Sequence, residues 1–383
     1  MKPMTPTTFS FPTPIRFGAG VVRELALHLK ANGVKGPLVV TDSFLARLPR
    51  ILQVLEDLKK AGLVVQVFSD IHKNPVKSDV EKGGKFFHES GCDGIVGLGG
   101  GASLDVARAI ALRVHHPDDL FKYDDLIGGD VYVTEPVPYF VTIPTTAGTG
   151  SEVGRSAIIS DDVTHQKKIL FSPRLMARMV FADPELTLDL PAPVTAATGM
   201  DALTHNIEAY LAKNFHPLCD GLALAGTRLV GKHLERAVNS PDLESRAGML
   251  MASMMGAIAF QKGLGVVHST AHPLSSKYDT HHGLANAVMI PYGIEFNSDV
   301  AAERLTTLAV LLGLKQPSAR AVVIWLHELN TKIGIPNHLG ALGVPENDLG
   351  ELADLAFADF AHPNNPKPVT RADFLKIYQR ALG

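Results

Sequence analysis

The stretch GIVGLGGGASLDVAR, residues 94–108, decides the fold of the first half of this 383-residue chain. Gly94 to Leu98 form an apolar run that is typical of a buried strand. The glycines that follow permit a tight turn, and the residues after them open a helix. The stretch therefore predicts a strand, a turn and a helix in immediate succession.

Three more apolar, β-branched runs flank this stretch. They read PLVVT at 37–41, LVVQVF at 63–68 and YFVTI at 139–143, and they alternate with amphipathic stretches such as 21–30 and 79–90. Strands of this kind separated by helices predict a parallel sheet that is covered on both faces. Ligands bind such sheets beyond the carboxyl ends of the strands.

The character of the chain changes after Asp183-Pro184. From about residue 193 it is rich in Ala, Leu, Met and Glu, and strand-like runs are nearly absent. Helical spacing is found at 196–213, 218–238, 243–262, 301–312 and 319–333. We therefore predict a Rossmann-like α/β domain with a parallel sheet over residues 1–185 and an all-α domain over residues 186–383.

The glycine turn is a candidate site for the pyrophosphate of a dinucleotide. Glycine lets the backbone approach a ligand closely, and a helix start offers free N–H groups and the positive end of a dipole. The spacing matches only part of the fingerprint Gly-x-Gly-x-x-Ala, so a purely structural turn is the alternative. The candidate cofactor contacts in this stretch are Gly100, Gly101, Ala102, Ser103 and Asp105.

Asp42 is the best candidate for a ribose-binding acid. In an ordinary Rossmann arrangement the acid follows the glycines, whereas Asp42 lies far upstream, at the end of the first strand. A carboxylate there accepts hydrogen bonds from a ribose diol and repels a 2′-phosphate, which favours NAD over NADP. The alternative is a helix cap, because Asp42-Ser43 precedes an apolar helical run.

A second loop rich in hydroxyls and glycine, PTTAGTGSE at residues 144–152, follows the fourth strand. Thr145, Thr146 and Thr149 supply hydroxyls that can bond phosphate or ribose. Its position at a strand end indicates a ligand loop rather than an ordinary connection.

The histidines suggest a metal site. The segment DALTH places Asp201 and His205 at i and i+4, on one helix face, and HSTAH does the same with His268 and His272. A further pair of histidines follows at 281–282. Ligand pairs of this spacing with more distant donors suit a divalent metal. Nitrogen and oxygen donors without thiolate are compatible with iron(II), zinc, cobalt or manganese.

Such a metal beside a dinucleotide has a natural chemistry. It could act as a Lewis acid on a carbonyl or alkoxide oxygen, which favours hydride transfer at the adjacent carbon. His272 lies one turn beyond His268 and could relay the proton.

Composition narrows the function classes. Lys and Arg number 36 against 39 Asp and Glu, a net charge of -3, so no basic excess exists to hold nucleic acid. No apolar run is long enough to span a bilayer, and the start, MKPMTPTTFSFPTP, lacks the apolar core of a signal peptide. The only cysteines, Cys92 and Cys219, suit a reducing cytoplasm. We expect a cytoplasmic homodimer or higher homo-oligomer that acts on a small molecule.

Five motifs together resemble the iron-containing (group III) alcohol dehydrogenase family. They read GGGASLDVARAI from Gly99, PTTAGTGSEV from Pro144, DPELT from Asp183, GMDALTHNIEAY from Gly199, and GVVHSTAHPLSSKYDTHHGLANAVMIP from Gly265. The resemblance runs from about Thr13 to the last helices. It implies a dinucleotide-binding domain, a helical domain and an active site between them, where a hydride passes between NAD(H) and a small alcohol or aldehyde.

The resemblance also implies the metal ligands. Matched position by position, they are Asp201, His205, His268 and His282, where His282 is preferred to its neighbour because the family's ligand histidine directly precedes glycine. The implied metal is Fe²⁺, with Zn²⁺ as the alternative.

The implied contacts to the cofactor and substrate come from other segments. His272 matches a histidine near the nicotinamide and the substrate, and Lys168 matches a lysine near the nicotinamide ribose. Asp42 matches the acid at the adenine-ribose end in NAD-using members, and Asn74 matches an asparagine that contacts the cofactor.

Two positions depart from the family pattern. The family commonly has Ser at Ala102 and Lys at Arg108. Ala102 keeps the backbone N–H, so pyrophosphate binding should survive, and Arg108 keeps the charge. Maleylacetate reductases, which are relatives, lack this His/Asp set, so the ligand set argues against that branch.

Three other functions compete with this hypothesis. A zinc-dependent polyol dehydrogenase of the glycerol type would share the fold and the redox chemistry. A metal-dependent lyase or hydrolase on the same fold would transfer no hydride. A non-catalytic binding protein would have to keep four metal ligands without using them.

Overall fold

A computed structural model describes residues 13–383. The first twelve residues, which include most of the polar start considered above, lie outside the described part of the chain. Contacts divide the chain into two compact units. One holds residues 13–146 and 150–189, and the other holds residues 147–149 and 190–383.

The first unit is built on a parallel sheet of six strands. Its strand order is β1-β8-β5-β4-β2-β3, and β6 pairs with β7 as a separate antiparallel hairpin. The strands are β1 Ile15–Phe17, β2 Pro37–Val40, β3 Gln66–Phe68, β4 Gly94–Gly99, β5 Tyr139–Pro144, β6 Ser156–Ser160, β7 Lys167–Phe171 and β8 Met179–Ala182.

Helices cover both faces of this sheet. They are α1 Leu25–Ala31, α2 Pro49–Lys60, α3 Lys77–Glu89 and α4 Gly101–His115. Successive residues of a strand enter opposite hydrophobic clusters: Ile95 lies in one and Val96 in the other. All six residues of β4 are buried, as expected for a central strand with two covered faces. The predicted parallel α/β domain is confirmed.

The second unit is helical, and no strand occurs in the described residues from 190 onward. Its helices are α5 Ala192–Leu211, α6 Pro217–Asn239, α7 Leu243–Ala259, α8 Val266–Tyr278, α9 His282–Asn297, α10 Ala302–Leu311, α11 Ala319–Lys332, α12 Leu349–Phe357 and α13 Arg371–Leu382. Every residue from Thr195 to Leu211 is buried, so α5 forms the centre of this unit.

The structure differs from the predicted elements at some boundaries and in several elements that were not predicted. The stretch 21–30 begins as a 3₁₀ turn, Val21–Glu24, before α1. The predicted strand 63–68 is shorter because the Leu63 N–H donates to the carbonyl of Leu58 and does not join the sheet. The strands β1, β6, β7 and β8 and the helices α9, α12 and α13 were not predicted from pattern.

No single helix among residues 13–383 has both the length and the apolarity of a membrane span. The pair Leu243–Lys262 and Val266–Tyr278 passes only when joined, and it bends by 109° at the break.

Candidate metal centre and dinucleotide site

The four predicted metal ligands are brought together in the helical unit. Asp201 and His205 lie one turn apart on α5, His268 lies in the first turn of α8, and His282 is the first residue of α9. One ligand atom from each residue lies within 4.8 Å of the others. Three helices that are distant in sequence therefore converge on one point.

The geometry fits a small divalent ion. The Nε2 atoms of His205 and His268 each lie 3.9 Å from Oδ1 of Asp201, and Nε2 of His282 lies 3.4 Å from it. An ion about 2.1 Å from each donor would hold neighbouring donors about 3–4 Å apart. These separations require only small side-chain adjustments, so the residues present fit a metal.

The protonation states also suit metal binding. Burial works to raise the pKa of Asp201, but the three imidazoles and the Asn286 amide outweigh it and lower the pKa to about 2. Burial lowers the pKa of His268 well below its usual value. An ionised carboxylate and a neutral imidazole are the forms that bind a divalent ion.

Glu208 fixes the orientation of His268. Nδ1 of His268 lies 2.6 Å from Oε2 of Glu208, whose carboxylate also accepts the backbone N–H of Val267 at 2.7 Å. Burial raises the pKa of Glu208 to about 7, although the hydrogen bonds from the backbone act to lower it. Because Nδ1–H points at the carboxylate, the Nε2 lone pair of His268 is left for a metal, the usual carboxylate–histidine arrangement of metal sites.

We expect Glu208→Gln to weaken metal binding about 10- to 100-fold, the usual cost of losing such an outer partner. Both carboxylate oxygens of Glu208 accept N–H groups. In either orientation of the glutamine amide, its NH₂ group therefore faces another N–H donor. Competition between the protein and a chelator for Zn²⁺ measures the change. Glu303→Gln, an exposed position on α10, is the matched control. Equal affinities would refute the assigned role.

Asn286 contacts the same donor atoms. It is fully buried on α9, and its Nδ2 lies 2.8 Å from Asp201 Oδ1, 3.1 Å from His282 Nε2 and 3.3 Å from His268 Nε2. A hydrogen-bond donor at this position shows that the lone pairs of the ligands point to a common centre. A bound cation would compete with the amide for them.

His272 lies beside the ligand cluster. Its ring centroid is 5.4 Å from that of His282 and 5.8 Å from that of His268. Nδ1 of His272 is 2.7 Å from a carboxylate oxygen of Asp359. Its side chain keeps 19% exposure, so the ring is accessible. Its proposed catalytic role stays a prediction.

The glycine turn lies at the carboxyl end of β4, as predicted. Gly99 has a φ of 147°, where a Cβ would meet the Ser103 side chain at 2.6 Å, and Gly100 is the N-cap of α4, with Gly101 and Ala102 as its first residues. The backbone therefore presents the open start of a 15-residue helix. The geometry fits a phosphate.

The neighbouring strand ends in the Thr/Gly loop. Within residues 13–383 the buried hydroxyl of Thr145 has no hydrogen-bond partner, and Thr146 lies against the turn, 3.2 Å from the position of a Cβ on Gly100. An unpaired buried hydroxyl favours a ligand at this edge. Thr149 belongs to the other compact unit, together with its neighbours 147 and 148.

Asp42 caps a helical turn, which was the alternative to a ribose contact. Its Oδ1 accepts the backbone N–H groups of Phe44 at 2.9 Å and Leu45 at 2.8 Å. The cap uses one oxygen of the carboxylate. Because β2 pairs directly with β4, Asp42 lies at the same sheet edge as the glycine turn although it precedes that turn by far in sequence. The cap and a ribose contact are therefore compatible.

Two of the remaining predicted cofactor contacts, Asp105 and Lys168, have partners within the protein. Asp105 accepts Ser151 Oγ at 2.6 Å and the Ile158 N–H at 3.0 Å, and the buried Arg108 lies 3.3 Å away. These bonds support a structural role for Asp105, and its contact with a cofactor stays a prediction. Nζ of Lys168, on β7, lies 3.3 Å from a carboxylate oxygen of Asp124. The predicted cofactor contacts of Asn74, an exposed residue in a bend before α3, and of Ser103, which is buried, stay predictions.

Three residues of the site were missed in the sequence. Glu208 follows Asp201 by seven positions, two turns along one helix face, and Asn286 follows His282 by four, so both could have been found from spacing. Asp359 gave no such signal, because 87 positions separate it from His272.

The α/β unit carries an open glycine turn, and the helical unit of the same chain carries three histidines and an aspartate around one point. Such features suit the class of metal-dependent dehydrogenases. Comparison with protein families agrees. Residues 12–184 match the iron-containing alcohol dehydrogenase family, and residues 195–382 match the C-terminal part of the Fe-containing alcohol dehydrogenase family.

Individual relatives cover the whole chain. A 4-hydroxybutyrate dehydrogenase of Cupriavidus necator is 38% identical over 380 residues, which is 97% of this chain and 98% of that protein. An NAD-dependent methanol dehydrogenase of Bacillus methanolicus is 36% identical, with 98% and 100% covered. The crystal structure of a 1,3-propanediol oxidoreductase superposes with a TM-score of 0.94 at 34% identity, with 98% of this chain and 100% of that one covered.

This chain therefore belongs to the iron-containing alcohol dehydrogenase family, and it is an oxidoreductase of the alcohol dehydrogenase class.

Proposed function

We propose that this protein is an NAD-dependent, iron-containing alcohol dehydrogenase that interconverts a small alcohol and its aldehyde. The observation that carries the proposal is the convergence of Asp201, His205, His268 and His282 within 4.8 Å. These donors suit a divalent ion, and in a chain that also carries a candidate dinucleotide site such an ion would serve hydride transfer as a Lewis acid.

Support for iron comes from the donors and the family. Three imidazole nitrogens and one carboxylate oxygen offer no thiolate, and the family is described as iron-containing. Such donors also bind zinc, so the metal is chosen by availability as well as by affinity. A bound divalent ion would supply Lewis-acid polarisation of the substrate oxygen.

Support for NAD comes from relatives and from the sheet edge. One relative is named an NAD-dependent methanol dehydrogenase, and the structure of a sulfoacetaldehyde reductase from Bifidobacterium kashiwanohense, 27% identical, with a TM-score of 0.89 and 99% of each chain covered, is a complex with NAD⁺. In this chain the glycine turn at Gly99–Ala102 would bind the pyrophosphate, and the carboxylate of Asp42 would accept the ribose hydroxyls.

Two residues of this chain have separate roles in the proposed reaction. Glu208 holds His268 in the tautomer that leaves Nε2 unprotonated. His272 exchanges the proton that an alcohol loses or an aldehyde gains. The relatives named for 4-hydroxybutyrate, methanol and 1,3-propanediol suggest a short primary alcohol as substrate.

The experiment that tests this function is a substrate panel with defined metals. Metal-free protein is loaded anaerobically with Fe²⁺ or with Zn²⁺, and NADH oxidation is followed with short aldehydes, hydroxyaldehydes and acid-bearing aldehydes. We expect turnover that depends on the added metal and is higher with iron. The proposed function is refuted if no aldehyde is reduced. Higher activity with zinc than with iron would mean that the catalytic metal is zinc.

Replacing Asp42 tests the cofactor preference. Asp42→Asn removes the negative charge but keeps an oxygen that can cap the helical turn, whereas Asp42→Gly removes both. We expect both variants to raise the ratio of NADPH to NADH activity about tenfold, because the carboxylate no longer repels a 2′-phosphate. Steady-state kinetics with both cofactors measure it. An unchanged ratio would mean that Asp42 only caps the turn.

A further inference from the structure

A chain of hydrogen bonds ends at His272. The backbone N–H of His362 donates to Ser269 Oγ at 2.9 Å, and this hydroxyl donates to Asp359 Oδ1 at 2.7 Å. The N–H of Ala361 donates to the same Oδ1 at 2.9 Å. The other oxygen of Asp359, Oδ2, lies 2.7 Å from Nδ1 of His272.

The two oxygens of Asp359 therefore have separate functions. Oδ1 is fixed as an acceptor by one hydroxyl and one backbone N–H, so the carboxylate cannot rotate freely. Oδ2 is left facing His272, in a side chain that is only 10% exposed. Burial works to raise the pKa of Asp359, but the bonds from His272, Ala361 and Ser269 outweigh it and hold the pKa at about 2. An ionised carboxylate only accepts hydrogen bonds.

We infer that Asp359 is a positioning residue that places the proton of neutral His272 on Nδ1 and thereby leaves Nε2 as the atom that exchanges a proton with the substrate. This inference rests on the proposed function and assigns its proton acceptor at the level of single atoms. Ser269 supports it indirectly, because its hydroxyl orients the carboxylate.

The proton balance of the reaction requires such an acceptor. In alcohol oxidation the hydroxyl proton passes to Nε2, the carbon-bound hydrogen leaves with its electron pair to NAD⁺, and the aldehyde and NADH result. The imidazolium that forms carries its positive charge 2.7 Å from the Asp359 carboxylate, which stabilises it. In aldehyde reduction the same proton returns from Nε2 to the oxygen.

Ring packing holds His272 in the same orientation. Its ring stacks on His282 at an interplanar angle of 17°, and it also contacts the ring of Phe360 with centroids 5.5 Å apart. Phe360 follows Asp359 directly in sequence, so the short segment after α12 supplies both the hydrogen bond and a packing contact. The same segment therefore sets both the position and the tautomer of the His272 ring.

Asp359→Asn is the most informative substitution. Ser269 and Ala361 both donate to Oδ1, so the carbonyl oxygen of asparagine must take that place and the amide nitrogen must face His272. The amide donates to Nδ1, and the ring proton moves to Nε2. We expect kcat to fall about 100-fold or more, the usual contribution of general acid–base catalysis, with bound metal and KM little changed.

Nitrogen-15 NMR of the Zn²⁺-loaded protein, labelled at histidine, reads the tautomer directly. In the wild-type protein we expect His272 to show a protonated Nδ1 and an unprotonated Nε2, and in Asp359→Asn the reverse. Asp354→Asn, an exposed carboxylate on α12 that pairs with Arg371, is the matched control and should change neither the tautomer nor kcat.

The wild-type spectrum reports the tautomer of His272 even if the variant does not fold. A wild-type His272 protonated at Nε2 alone overturns it, and so does an Asp359→Asn protein with unchanged kcat. The tautomer is measured without substrate, so it is independent of the proposed function. Absence of NAD-linked activity in the wild-type protein, with Nδ1 protonated, refutes the function and leaves the tautomer assignment intact.

Discussion

His268→Ala is expected to remove bound metal and turnover together. His268 supplies one of four donor atoms, and it is also the residue that Glu208 orients by a 2.6 Å contact. Its loss leaves three donors and a buried Glu208 carboxylate that keeps only backbone N–H partners. Lewis-acid polarisation contributes several kcal/mol to the transition state, and each 1.36 kcal/mol is tenfold in rate, so kcat should fall about a thousandfold or more.

Metal content by mass spectrometry and turnover with Fe²⁺-loaded protein measure both effects. His282→Ala serves as a second variant at the more exposed rim of the cluster, where its side chain is 29% accessible and a substitution disturbs packing least. His88→Ala, an exposed histidine on α3, is the control and should keep the wild-type metal content. A His268→Ala protein that binds metal as the wild type does would contradict the ligand assignment.

The central strands and the long helices could be predicted because their physics is local. Strand β4 and its neighbours are buried on both faces, so their sequences are continuous apolar runs that stand out without any tertiary information. The short edge strand Ile15–Phe17 is half exposed, and it has no such run. The hairpin 156–171 is likewise only partly buried, which leaves its pattern weak.

The division into units shows where pattern alone is insufficient. We predicted a boundary near residue 185 from the change in composition, whereas contacts change unit after Asp189 and residues 147–149 join the helical unit. The carbonyl of Gly148 accepts a hydrogen bond from Ser253, and a Cβ on Gly148 would lie 2.8 Å from Thr198. Such contacts between distant segments leave no periodicity in the sequence.

The site was likewise predictable only where its residues are close in sequence. Spacing on one helix indicated the pair Asp201 and His205, and the resemblance to a family supplied the partners from two other helices. The residues that orient these groups were not predicted. Spacing along α5 could have indicated Glu208, which lies two turns beyond Asp201, whereas only its contact with His272 distinguishes Asp359 from the other acids of the chain.

The second large effect concerns stability and centres on Arg108. We expect Arg108→Met to lower the free energy of unfolding of the α/β unit by about 3–5 kcal/mol, the usual cost of breaking a buried ion pair. The side chain is fully buried and donates to Asp105, to Ser151 and to the carbonyls of Ser156 and Leu175. Methionine fills the space but donates to none of these acceptors, and it leaves the Asp105 carboxylate without its cationic partner.

Urea unfolding followed by circular dichroism measures the loss, and hydrogen exchange locates it. Amides of α4 and of the hairpin β6–β7 should exchange faster than in the wild type, because Arg108 joins the helix to Ser156 at the start of that hairpin. Arg371→Met removes an exposed arginine in the helical unit and is the control, with no measurable change expected. Unaltered exchange in Arg108→Met would contradict the prediction.

The ion pair between Arg108 and Asp105 predicts the stability of two further variants. Arg108→Lys keeps the charge but replaces a planar fork of donors by a single ammonium, so its loss of stability should lie between those of the wild type and Arg108→Met. Asp105→Asn combined with Arg108→Met should be more stable than Arg108→Met alone, since no unpaired charge remains buried. If the double variant is the less stable one, the loss in Arg108→Met comes from packing and hydrogen bonds rather than from the isolated carboxylate.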